Sequence, residues 1–308
     1  MENSAFVFPG QGSQAIGMLA ELAAEHDIVA QTFSQASDAL GYDLWELVQQ
    51  GPVETLNETD KTQPALLTAS VAIWRIFEAS GKTLPKIMAG HSLGEYSALV
   101  CAGVMDFTDA VKLVELRGQL MQQAVPAGTG AMFAIIGLDN DAIAKACEDA
   151  GEGGVVSPVN YNSPGQVVIA GSKAAVERAA ALCKEAGAKM AVALPVSVPS
   201  HCELMRPAAE KLAVALENIV FKTPRITVIN NVDVASPESA AEIKDALVRQ
   251  LYCPVLWSKT VKTISEQGVT HLFEMGPGKV LTGLAKRIDR SLTAKVVNDV
   301  ASVAALTQ

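Results

Sequence analysis

Along the chain, short apolar runs alternate with longer stretches in which apolar residues return every three or four positions. Residues 4–8 (SAFVF) are mostly apolar and stop at Pro9, which predicts a strand buried on both faces. Stretches 85–89 (PKIMA), 225–232 (RITVINNV) and 270–275 (THLFEM) predict further strands. Helical spacing runs through 14–24, 28–40, 64–80 and 107–124, and again through 202–218, 239–252, 257–267 and 278–288. Strands separated by helices predict an α/β fold, with a parallel sheet covered on both sides.

The middle of the chain follows a different order. Residues 130–137 (GAMFAIIG) predict a strand and 139–150 a helix capped by Asp139. A strand at 154–160, the turn Asn162-Ser163-Pro164-Gly165 and a strand at 166–171 read as a hairpin. A helix capped by Ser172 then runs to about Gly187, and 188–196 returns as a strand. The order β-α-β-β-α-β is ferredoxin-like. The expectation is therefore a discontinuous large domain, α/β-hydrolase-like, formed by 1–127 and 197–308, with a small domain at 128–196 inserted in it. VPAGTG (125–130) and LPVSVPSH (194–201) supply the Pro and Gly expected where the chain crosses between them.

Composition narrows the function classes. The 308 residues are 49% hydrophobic and 19% charged, which suits a substantial core. No apolar run is long enough to span a bilayer, and the first residues lack the basic region of a signal peptide, so no membrane association is expected. Five cysteines, widely spaced and without a C-x-x-C pair, predict neither disulfides nor a zinc knuckle and fit a cytoplasmic protein. Four scattered histidines with no H-E-x-x-H give no support for a metal. A net charge of −9 disfavours nucleic acid as a partner. It also means that an acidic protein would have to dock on a local basic patch. Lys286, Arg287 and Arg290 form one candidate patch, or simply a solvated basic face.

The candidate chemistry begins at 89–99, AGHSLGEYSAL, where Gly90-His91-Ser92-Leu93-Gly94 is a G-x-S-x-G pentapeptide between a predicted strand and a predicted helix. That context suits a nucleophile elbow, with the Ser92 hydroxyl at a helix N-terminus and the Leu93 N–H as an oxyanion donor. The alternative is a serine that only caps its helix. A nucleophilic serine needs a base. His91 adjoins Ser92 and should point away from it. His26 lies in a polar stretch, and His271 in a predicted strand reads as packed. His201, at a domain crossover, is the choice, with a capping or structural histidine as the competing reading.

Two further positions stand out. Gly10-Gln11-Gly12 follows the first strand and imitates a dinucleotide fingerprint, but no acid-ended second strand follows about twenty residues on. A loop there can instead present a second oxyanion donor, with Gln11 as the candidate. Arg117 shares an apolar helix face with Leu113, Leu120, Met121 and Ala124, so it must be paired. Its partner is either an acid from another segment or a carboxylate arriving on a substrate, which a guanidinium fork binds in bidentate fashion.

GQGSQ near the start, GHSLGEYSAL around Ser92, Arg117 in its helix, PVSVPSHC around His201, RQLYCPV at 249–255 and EMGPGKVLTGL at 274–284 occur together. In this set the chain resembles, essentially end to end, the malonyl-CoA:acyl carrier protein transacylases of bacterial type II fatty acid synthesis. The resemblance implies that Ser92 is acylated and that His201 is its base. It implies that the main-chain carbonyl of Gln250 orients the imidazole and that Gln11 and Leu93 N–H groups bind the oxyanion. Arg117 would hold the malonyl carboxylate. Malonyl-CoA and holo-acyl carrier protein would be the partners. No cofactor is implied, because CoA and pantetheine arrive as parts of the substrates.

Overall fold

The computed structural model describes residue 1, residues 3–196 and residues 198–308. Ser197, the expected start of the returning segment, lies outside the described residues. The strands are β1 (Ser4–Phe8), β2 (Ile87–Gly90), β3 (Gly130–Ile136), β4 (Val156–Ser163), β5 (Gln166–Ser172), β6 (Met190–Ala193), β7 (Thr227–Ile229), β8 (His271–Met275) and β9 (Thr293–Val297). They form two sheets. One is parallel, in the order β7-β2-β1-β8-β9, and the other is antiparallel, in the order β4-β5-β3-β6. The chain is thus mixed α/β, as expected.

Strand β1 is central to the parallel sheet and buried throughout. Its residues alternate between two cores, Phe6 and Phe8 on one face and Ala5 and Val7 on the other. Phe6 meets Trp74, Phe77 and Phe273 edge-on, with centroids at 6.0, 4.8 and 5.7 Å. Each such pair adds about 0.5–1.5 kcal/mol beyond area burial. These contacts pin the helix Thr59–Ala79 to the sheet and so fix where its first turns lie.

The antiparallel sheet has its own two-sided pattern. Val167 and Ile169 of β5 face the helices Asn140–Ala150 and Lys173–Glu185. Val168 and Ala170 face the other way, with Met132 and Cys202. Backbone bonds tie β4 to the segment just before the helix Trp257–Glu266: Tyr161 N–H donates to the Val255 carbonyl at 3.0 Å and Val255 N–H to the Val159 carbonyl at 2.8 Å.

Several local expectations change. The helix expected over 14–24 spans only Ala20–Glu25, because Gly17 and Leu19 take positive φ and break the preceding turn. The helix expected from 64 begins at Thr59, which places Pro64 inside it. Strand 225–232 shortens to β7, because the Asn230 side chain accepts from the Asp233 N–H and turns the chain. Asp139 and Ser172 occupy N-cap positions without capping bonds, and Ser172 Oγ accepts from the Val155 N–H instead. Strand β9 and the helix Val300–Thr307 were not expected.

Candidate active site

Strand β2 ends at Gly90, and the helix Gly94–Cys101 starts four residues later. A Cβ on Gly90 would run into the Gly94 main chain, and one on Gly94 would meet the Phe8 carbonyl. Both glycines are therefore steric requirements of the elbow. Ser92 between them is held at φ 52°, the left-handed region that ordinary residues avoid. Asn231, just past β7, braces this turn. Its Oδ1 accepts from the Ser92 N–H at 2.7 Å, and its Nδ2 donates to the Gly90 carbonyl at 2.6 Å.

His201 reaches the same point from the chain that returns after β6, also at positive φ, 64°. Its Nε2 lies 2.8 Å from Ser92 Oγ, and its Nδ1 lies 2.6 Å from the Gln250 carbonyl. A carbonyl only accepts, so Nδ1 carries the proton and Nε2 is free to accept from the serine. Burial, reinforced by the positive charge of Arg117, lowers the His201 pKa to about 3. The imidazole is neutral at physiological pH, as a general base must be.

Arg117 is 1% exposed and lies in the helix Phe107–Ala124. Nη1 donates to Gln63 Oε1 at 2.8 Å, Nη2 donates to Gln250 Oε1 at 2.9 Å, and Nη2 is 3.4 Å from Ser92 Oγ. Among the described residues no carboxylate forms an ion pair with it, and its Nε has no partner. Among the described residues two neutral amides hold the cation, in place of the structural ion pair considered from sequence. Glu115, on the same helix, pairs with Lys61 at 2.9 Å.

The loops after β1 and β2 sit at the carboxyl ends of neighbouring parallel strands, where α/β sheets bind ligands. They bring Gln11 and Leu93 to the cleft that also contains Ser92, His201 and Arg117. Neither the Gln11 nor the Leu93 N–H donates to an acceptor among the described residues. Apolar walls come from both sides of the molecule: Met121 from the arginine helix, and Met132, Val168, Leu194 and Val196 from the antiparallel sheet and its exit.

His91 lines the same cleft but engages other partners, while His26 and His271 stand elsewhere. His91 turns its Nε2 to Asn162 Oδ1 of β4 at 2.8 Å, and its ring packs edge-on to Trp257. His26 is half-buried at a helix start. His271, expected to be packed, is exposed, stacked beside Phe273 and 2.9 Å from Thr270 Oγ1, because it opens β8 at the sheet rim. Lys286 and Arg287 end the helix Val280–Ile288, and Arg287 donates to Gln166 Oε1 across the sheets.

Sequence reasoning did not single out Gln63, Glu95, Asn231 or the Gln250 side chain. Glu95 is 2% exposed, and its Oε2 accepts from the Asn231 N–H at 2.9 Å and from Gln250 Nε2 at 2.8 Å. Burial is the main reason that its pKa rises to about 7. The one signal available was an acid in the first turn of an otherwise apolar helix.

The model of the family described as "Acyl transferase domain" matches residues 5–306. The chain is 67% identical over 309 residues to the malonyl CoA-acyl carrier protein transacylase of Salmonella typhimurium, covering all of both chains. It is 46% identical to that of Bacillus subtilis, over 97% of this chain and 94% of the relative. An acyl carrier protein S-malonyltransferase from Vibrio cholerae superposes with a TM-score of 0.98 at 67% identity, covering 99% of this chain and all of that one. A malonyl-transacylase solved in complex with a type II PKS acyl-carrier protein also gives 0.98, at 64% identity, covering 100% and 99%.

Proposed function

The chain belongs to the acyl transferase family, among relatives named malonyl CoA-acyl carrier protein transacylases, and from that premise we propose that it carries malonyl from malonyl-CoA to the pantetheine thiol of an acyl carrier protein. The carrying observation is the contact of Ser92 Oγ with His201 Nε2 at 2.8 Å, in a cleft shared with the Arg117 guanidinium.

The transfer is ping-pong. Arg117 holds the malonyl carboxylate and so sets the thioester carbon over Ser92. Oγ attacks that carbon while its proton passes to His201 Nε2, and the imidazolium is steadied through Nδ1–H by the Gln250 carbonyl. The tetrahedral oxyanion is received by the Leu93 and Gln11 N–H groups, and loss of one such donor slows acyl transfer by about 10²-fold or more. The C–S bond breaks, the proton returns to the departing CoA sulfur, and malonyl stays as an ester on Ser92. The pantetheine thiol then gives its proton to His201, attacks the ester carbonyl, and Ser92 recovers its hydrogen from His201. No metal or resident cofactor is assigned a part.

Residues 1–127 and 197–308 are read as the α/β-hydrolase-like catalytic domain and 128–196 as a ferredoxin-like insertion. The separate apolar core beneath the antiparallel sheet supports that division. Among the described residues no helix is long and apolar enough to cross a membrane. The five free thiols suit a cytoplasmic setting.

Intact-protein mass spectrometry after exposure to malonyl-CoA tests the mechanism. The expected result is one malonyl adduct, absent from Ser92→Ala and discharged when a holo-carrier is added. Labelling of Ser92→Ala, or release of free malonate in place of transfer, would refute it. Since one relative was solved with a polyketide carrier, the discharge arm uses fatty acid and polyketide carriers side by side.

A further inference from the structure

Beside the cleft, the buried carboxyl of Glu95 has no part in the reaction. It lies three residues after the nucleophile and contacts the same Gln250 amide that holds Arg117. That amide has only one workable orientation. Its Nε2 donates to Glu95 Oε2 and, at 3.1 Å, to the Ser92 carbonyl, while its Oε1 faces Arg117 Nη2. A carboxylate, one amide and a guanidinium thus form a closed polar chain, with Glu95 2%, Gln250 0% and Arg117 1% exposed.

The charges in that chain balance. Arg117 contributes one positive charge and Glu95 one negative. The other groups facing Glu95 leave this sum unchanged. Asp233, beyond β7, is matched by Arg249 through bonds of 2.9 and 2.7 Å. Tyr96, the next residue on the Glu95 helix, has its phenol raised to about 12 by burial, and His91 and His201 are held neutral by burial. An arriving acyl carboxylate therefore brings a second negative charge to a single buried cation. A buried site that cannot hold two anions against one cation resolves the excess by protonating one of them.

We infer that Glu95 is the counter-charge of Arg117 in the empty site and takes up a proton from solvent when an acyl carboxylate docks on that guanidinium. This rests on the reading of Arg117 as the carboxylate clamp. The proton returns to solvent when the acyl group leaves on its carrier. Glu95 is the acid that yields because burial has already raised it to about 7, whereas a carboxylate held directly on a guanidinium stays ionised. The exchange keeps the neutral-acyl and acidic-acyl states of the cleft electrically alike. Selectivity for an acidic acyl group then depends on pH through Glu95.

The test is titration calorimetry on Ser92→Ala, which binds without turnover, in buffers of different ionisation enthalpy. At pH about 8, malonyl-CoA should take up about one proton per site, and acetyl-CoA, which carries the same CoA phosphates, about none. In Ser92→Ala/Glu95→Gln, malonyl-CoA should bind with the uptake gone. Equal uptake with both esters, Arg117-dependent malonyl binding without uptake, or uptake that persists in Glu95→Gln would each overturn the inference. The comparison of the two esters decides even if the Gln variant fails to fold. An Arg117→Ala variant whose malonyl affinity is unchanged would remove the clamp itself, and the Glu95 inference with it.

Discussion

At the scale of single residues, the site rests on a histidine kept from its ordinary proton. Burial and Arg117 hold His201 near 3, so its imidazole stays neutral through the range in which a solvated histidine titrates. Nitrogen NMR of histidine-labelled protein should show the Nδ1–H neutral tautomer of His201 persisting from pH about 8 down to about 5. Titration near 6.5 would show the ring to be solvated and the site open. Unfolding frees an imidazole that binds a proton below about 6.5, so this histidine is neutral to stability above that value and increasingly destabilising as pH falls below it. Ser92, Leu93, Gln11 and Arg117 were legible as motif or periodicity, because local sequence places a glycine-flanked turn or a helix face. His201 was reached by elimination among four histidines. Gln250 came from family resemblance alone, since every residue has a carbonyl and nothing in its side chain marks which one will receive an imidazole. Gln63 and Glu95 take their meaning from partners 54 and 155 positions away.

At the scale of elements, one close contact decides where the guanidinium lies. A Cβ on Gly118 would sit 2.5 Å from Asp60 Cα, so the arginine helix rests directly on the backbone of Thr59–Ala79. Arg117, the preceding residue, thereby meets Gln63 at 2.8 Å. Gly118→Val should force the helices apart, with a loss of about 1–3 kcal/mol in urea unfolding. It should also lower kcat/KM for malonyl transfer more than for acetyl transfer. Equal losses for the two acyl groups would mean that the helix contact does not aim Arg117. The long helices were readable because their apolar stripes span several turns. The 14–24 reading failed because the periodic pattern continues through residues whose backbone is left-handed. Strand β9 was missed because TAKVV alternates too briefly to stand out.

At the scale of the whole molecule, the cleft lies between two sheets joined by polar links. His91 to Asn162 is one of these, and it begins one residue from Ser92. Asn162→Ala should leave the half-buried His91 nitrogen without its partner and reduce stability by about 1 kcal/mol. Denaturant unfolding measures that loss, and malonyl transfer should show a raised KM in the same variant. An unchanged unfolding midpoint would mean that the two sheets hold together without this link. The two-sheet plan was legible from the change in element order near 130. The way the sheets face each other was not, because it depends on contacts such as His91 to Asn162 that no local pattern encodes. The chain exposes its serine, makes a long excursion through the second sheet, and supplies the histidine 109 positions later, with the carbonyl that aligns it another 49 beyond. Under the proposed mechanism, the hydroxyl leaves the ribosome well before the groups that would activate it, so a half-made chain would stay inert toward thioesters until its last third has been translated and folded back.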